Sequence, residues 1–111
     1  PAPNLVPAAA SLYLAMMTAT SLTLTGANGP VIVEGPIARN RTYLDMLGVA
    51  TNRKVFAGGS SSTGTSIGAA LLALGPKFSF ALKSEEIAAP EPALAGKLAA
   101  WRDRWLDAVR R

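Results

Sequence analysis

Two short apolar runs, Val31-Ile32-Val33 and Lys54-Val55-Phe56-Ala57, are each enclosed by turn residues and separated by a helical pattern, and this alternation constrains the chain more than any other feature. The β-branched first run, between Asn28-Gly29-Pro30 and Gly35-Pro36, predicts a strand buried on both faces. Between the runs, Asn40 suits the N-cap of a helix whose Tyr43, Leu44, Met46 and Leu47 face inward, with Gly48 near its end and a turn at Asn52-Arg53. Ahead of them, residues 8–24 set Leu12, Met16 and Ala19 on one helical stripe and Leu14, Met17 and Leu22 beside it. That wide apolar face calls for cover by other elements, and Gly26 suits a left-handed cap. After the second run comes a helix of small and aliphatic residues at 67–74, stopped by Gly75-Pro76.

Helix, strand, helix, strand, helix is an α/β layout, and strands joined by a crossover helix pair in parallel with a right-handed connection. Two short strands do not make a stable sheet. Further strands are therefore expected in Phe78-Ser79-Phe80 and beyond, or in sequence outside this chain. Past an Ala/Pro linker at 88–92, residues 93–109 place Leu94, Leu98, Trp101, Trp105 and Val109 at helical spacing, with Lys97, Arg102, Arg104 and Asp107 off that stripe. The tryptophans read as core. The expected division is one unit over 1–87, with 88–111 a linker plus an amphipathic helix packed on the same domain.

Composition narrows the chemistry. A 111-residue chain is at most one ordinary domain. With 50% hydrophobic and 16% charged residues it reads as folded rather than disordered. It has no cysteine and no histidine, which excludes disulfides, thiolate zinc sites, serine-histidine triads and cysteine nucleophiles within the chain. The net charge of +4 is spread: Arg102, Arg104, Arg110 and Arg111 share a segment with Asp103 and Asp107, while Arg39, Arg41, Arg53 and Lys54 flank the middle helix. This is a solubilising surface rather than a nucleic-acid footprint. Residues 5–25 carry no charge, nearly a membrane-span length. Pro7, the serines and threonines, and the lack of a preceding basic cluster favour a helix buried on most sides instead, with no membrane role. Neither cysteine nor an export pattern is present, which suits the cytoplasm. The start at Pro1 rather than Met leads to the expectation of further sequence upstream.

The loop Gly59-Ser60-Ser61-Ser62-Thr63-Gly64-Thr65-Ser66 imitates a phosphate-binding P-loop in glycine spacing and in its place between strand and helix. Its lysine is missing, for Thr65 stands there. What survives is an anion-tolerant helix start at Gly64, or a plain surface loop.

The more specific signal is Val31-Ile32-Val33-Glu34-Gly35-Pro36-Ile37-Ala38-Arg39-Asn40 followed some thirty residues later by Gly68-Ala69-Ala70-Leu71-Leu72-Ala73. This pair, in register over residues 8–75, resembles the C-terminal part of the FGGY carbohydrate kinases of the actin-like ATPase superfamily. There a strand ends in an acidic or small residue and Gly-Gly-x-x-x-Asn, and a later helix carries Gly-Ala-Ala. The resemblance implies a partial ribonuclease-H-like domain with helices packed on short buried strands. It further implies ATP with magnesium in an interdomain cleft, and γ-phosphoryl transfer to a sugar or polyol hydroxyl.

Carried over residue by residue, Gly35 matches the first motif glycine, which lets nucleotide approach bare backbone. Pro36 occupies the second, where it has no N–H to offer. Asn40 matches the asparagine whose amide can address adenine or ribose, and it is also the N-cap. Gly68 and Ala69 match the helix that packs closely on the sheet. Arg39 is a candidate phosphate donor, and Glu34 either a strand-end charge or a group that acts through water or metal. The family's catalytic aspartate and sugar pocket have no counterpart here. Asp45 reads as a surface charge in mid-helix, and Asp103 and Asp107 as ion-pair partners. No residue of this chain is assigned a catalytic or metal-binding role, so by itself it is expected to be inactive.

Two other readings stand beside the kinase. A noncatalytic interaction module would dock its apolar helices on a partner chain. A basic phosphate or nucleic-acid binder ranks last. The sugar is not named by these residues, and a homo-oligomer is left open.

Overall fold

The computed structural model describes residues 3–58, 64–77 and 84–110. A 3-10 turn at Pro3–Leu5 leads into α1 (Val6–Leu24). Then come β1 (Val31–Val33), a 3-10 turn (Pro36–Arg39), α2 (Arg41–Thr51) and β2 (Val55–Gly58). After these follow α3 (Gly64–Leu74), β3 (Ser84–Glu86) and α4 (Pro92–Val109). The α/β layout is as expected. The strands form one sheet in the order β1-β2-β3, with β1 and β2 parallel through the α2 crossover and β3 antiparallel to β2.

Three helix boundaries have a local cause. At the end of α1, Ala27 N–H donates to Leu22 O and Gly26 N–H to Thr23 O, both at 3.1 Å. With Gly26 at φ 71° this is a Schellman cap, as the glycine predicts. Asn40 caps α2, its Oδ1 accepting from Tyr43 N–H at 3.0 Å. Asn52 closes α2 in the left-handed region, at φ 52°, which asparagine tolerates better than most side chains.

The core lies between α2, α1 and the sheet. Met46 and Leu47 are its largest fully enclosed side chains, with Tyr43 and Leu44 beside them, Met16 from α1, Val31 and Val33 from β1, Val55 from β2 and Leu98 from α4. Trp101 and Trp105 are partly buried against this cluster rather than enclosed in it, and of the stripe expected for α4 Leu98 is buried while Leu94 and Val109 are exposed. Two polar ties sew α1 to α2: Asn40 Nδ2 donates to Ser11 Oγ at 2.8 Å, and the Tyr43 and Thr18 hydroxyls lie 2.9 Å apart. Asn40 thus serves both a cap and a helix-helix bond. Asn40→Ala is expected to lower stability by about 1–2 kcal/mol, read as a lower urea midpoint, with Asn40→Asp recovering the cap share.

Several expectations need correction. β1 is covered on one face only: Val31 and Val33 are buried while Ile32 is 59% exposed, because no described element packs extensively over the outer face. α1 is not enclosed on most sides. Ser11, Ala15, Met16 and Ala19 are buried, whereas Tyr13, Leu14 and Met17 remain exposed. By length and composition α1 could cross a membrane, yet its Ser11 and Thr18 hydroxyls serve the contact with α2. Asp45 is no surface charge: it is buried, and Arg41 Nε reaches its Oδ1 at 2.8 Å while Arg41 Nη2 donates to Ala88 O at 2.6 Å. This arginine latches the segment after β3 to α2. β3 itself, Ser-Glu-Glu, has no apolar pattern to betray it, and residues 78–83 lie outside the described residues.

The radius of gyration, 16.0 Å, exceeds the roughly 13 Å of a compact domain of this length. Among the described residues, the sheet's open face, the unpaired outer edge of β1 and the exposed Leu72 of α3 agree with that excess.

Candidate functional site

Parallel pairing sends the chain out of β1 and β2 at the same edge of the sheet. Val33 pairs with Ala57, so the segment beginning at Glu34 and the one ending at Gly58 meet that edge side by side. In open α/β sheets this carboxyl edge is where ligands bind, because loops there surround a crevice lined by backbone. Four of the six site residues anticipated from sequence, Gly35, Pro36, Arg39 and Asn40, occupy the first of these segments. Gly64 opens α3 after residues 59–63, which lie outside the described residues.

Gly35 has φ 83° and ψ −169°, a region open essentially to glycine alone. A Cβ built there meets nothing within 4 Å. The backbone at the strand exit is therefore bare and unplugged. Pro36 follows as the first residue of the 3-10 turn, where its fixed φ fits and its missing N–H costs no bond. Within that turn Ala38 N–H donates to Gly35 O and Asn40 N–H to Ile37 O, each at 3.0 Å. The turn brings Arg39 to the surface, with no hydrogen bond or ion pair to another described residue. Asn40 is committed through one oxygen lone pair and one amide hydrogen, which leaves one of each.

Gly68 differs from expectation. It sits inside α3 with nothing within 4 Å of a Cβ position, and α3 makes no extended packing with another described element. The close helix-on-sheet contact is not formed among the described residues.

Two grooves lie elsewhere. One of about 480 Å³ runs between α2, the β3 exit and α4, lined by Leu44, Val49, Lys54, Ile87 and Pro90 among others. A second, of about 310 Å³, lies at Gly29, Pro30, Arg53, Lys54 and Phe56. Neither contains an anticipated site residue. Among the described residues no group of three or more Asp or Glu side chains could hold a metal ion. Asp45 is engaged with Arg41, and Asp103 with the neighbouring Arg102 at 3.0 Å.

The family model "Carbohydrate kinase FGGY, C-terminal domain" matches residues 2–82, well over half of the chain. The chain belongs to the FGGY carbohydrate kinase family. Its matched region covers α1 to α3, and so includes both strand exits, Gly35 and Asn40. No curated protein and no solved structure gives a match. The family places the chain with the transferases that phosphorylate carbohydrates, and the four helices and mixed three-stranded sheet agree with its C-terminal domain.

One contact at the FGGY domain's strand exits was not legible beforehand. The Glu34 side chain lies across Gly58, where a Cβ would come within 2.7 Å of its Cγ. An acid at a strand end was visible in the sequence. Its glycine partner, twenty-four residues away on another strand, was not.

Proposed function

We propose that this chain is the ATP-side, C-terminal portion of a sugar or polyol kinase, and that its strand-exit edge forms the nucleotide wall of an interdomain cleft. The observation that carries this reading is Gly35, glycine-only backbone with open space above it at the carboxyl end of a parallel strand, inside the region that matches the family. The nucleotide would lie against this ledge. Arg39 would meet phosphate oxygens through its planar donors, and the remaining N–H and lone pair of Asn40 would address the purine or ribose. The first turn of α3, at Gly64, adds free backbone N–H groups that favour an anion, with Gly68 one turn further along. Pro36 contributes shape rather than a hydrogen bond.

In the reaction, a sugar hydroxyl oxygen attacks the γ-phosphorus, the bond to the bridging oxygen of ADP breaks, and the hydroxyl proton passes to a base. No described residue is assigned as that base, and among the described residues no acidic cluster is placed to hold the magnesium that would neutralise the phosphates. Both belong to the part of the enzyme that binds the sugar. The chain alone is accordingly predicted to bind nucleotide weakly and to turn over nothing. The outer edge of β1, unpaired among the described residues, supports a wider, ribonuclease-H-like sheet completed by that other part. A cytoplasmic setting, where ATP is abundant, fits this role.

The test is a titration of the isotope-labelled chain with ATP, followed by two-dimensional NMR. Shifts concentrated at Gly35, Ile37, Arg39, Asn40, Gly64 and Gly68 are expected. Shifts confined to the grooves at Val49 or Arg53, or none at millimolar ATP, would overturn the assignment.

A further inference from the structure

Glu34 leaves β1 as an exposed side chain with no hydrogen bond or ion pair to another described residue. It folds across the end of β2. A Cβ on Gly58 would stand 2.7 Å from Glu34 Cγ and 3.0 Å from Oε1, closer than real Cβ atoms come. Gly58 needs no glycine for its backbone, since its φ is not among the positive ones. The missing side chain serves instead to admit Glu34. Register explains the meeting: Val33 pairs with Ala57, so the next residue of each strand lies at the same level.

The result is an exposed carboxylate, unpaired among the described residues, at the carboxyl edge of the two parallel strands, one residue from the bare backbone of Gly35. A carboxylate repels phosphate and accepts from hydroxyl or amino donors. A ligand with an anionic end and a hydroxylated middle would therefore orient itself here, its phosphates drawn to Arg39 and the start of α3 and its hydroxyls to Glu34. Two adjacent hydroxyls suit a carboxylate best, since its two oxygens can each accept one. Resting on the nucleotide reading above, we propose that Glu34, steadied over Gly58, accepts the ribose hydroxyls of the bound nucleotide and selects ribonucleotides over deoxyribonucleotides.

The experiment compares ATP with 2′-deoxy-ATP, titrated by NMR into the full chain, into Glu34→Gln and into Gly58→Ala. Hydrogen bonds to a charged group predict about a tenfold preference of the unaltered chain for ATP. Glu34→Gln keeps the shape, loses the charge and should erase most of that preference. Gly58→Ala should do the same with the carboxylate intact, because the new methyl group displaces it. Retained spectra of both variants, away from the strand exits, would establish that they fold. If ATP binds but 2′-deoxy-ATP binds equally well, or the preference survives in Glu34→Gln, the role of Glu34 is overturned and the nucleotide ledge stands. If ATP produces no response in the unaltered chain, the ledge falls and this inference with it.

Discussion

Leu47→Ala should cost the chain about 2–5 kcal/mol, enough to leave much of it unfolded at ambient temperature. Leu47 has no exposed surface, and it shares the middle of α2 with Met46, which has none either. Truncation there removes the transfer energy of three carbons and leaves a void in the core cluster, whose surrounding helices and strands are fixed by their own backbone hydrogen bonds. A small domain has little reserve, since total stabilities run to about 5–15 kcal/mol and the smallest cores sit at the low end. Urea denaturation followed by circular dichroism measures the loss. The counterpart is Leu72→Ala on α3. Leu72 is 85% exposed, so the same deletion should change stability by no more than about 0.5 kcal/mol. A loss at Leu72 as large as that at Leu47 would mean that α3 lies against the sheet in solution.

The same contrast marks what a single sequence can say. The frame from α1 to β2 was legible because each boundary has a local chemical cause. Gly26 closes one helix, Asn40 opens the next, Asn52 ends it, and β-branched residues fill the strands between. Inward residues of α2 followed from spacing alone, since one helix face must meet one core. Burial of the other apolar elements did not follow. Ile32 looks as core-like as Val31 and Val33, and α3 is more apolar than α2, yet both are exposed among the described residues. Apolar character records where a side chain would be buried in a complete assembly, and a domain of one family enzyme need not contain every layer of it. β3 was expected only as a further strand somewhere from residue 78 onward, with no sharper position, for the opposite reason. Ser84, Glu85 and Glu86 have no strand-like pattern, and their strand exists because β2 offers an unpaired edge. At the site, Gly35 and Asn40 could be named from their motif, but the pairing of Glu34 with Gly58 is set by register between strands, which no local signal encodes.

Gly35→Ala should destabilise the chain by about 1–3 kcal/mol although nothing stands in the way of the added methyl group. The cost is wholly in the backbone, because φ 83° with ψ −169° is a conformation that alanine rarely enters. Gly68→Ala adds the same methyl group into equally open space with the opposite sign. Its residue lies inside a helix, where alanine is favoured over glycine by up to about 1 kcal/mol. Denaturation midpoints of the two variants should move in opposite directions. The pair also separates two reasons for keeping glycine. At Gly35 the chain's own fold demands it, so selection for a ligand is not needed to explain it, and nucleotide binding should fall together with stability. At Gly68 the isolated chain gains from losing it. The family's Gly-Ala-Ala helix, which Gly68 matches, has a use for the missing bulk only where another layer packs closely on α3, and no described element does so here. In a complete FGGY kinase the same Gly68→Ala change should reduce phosphoryl transfer or nucleotide affinity while the domain itself becomes more stable. Equal gains in the isolated chain and the whole enzyme, with activity intact, would show instead that nothing comes near that helix.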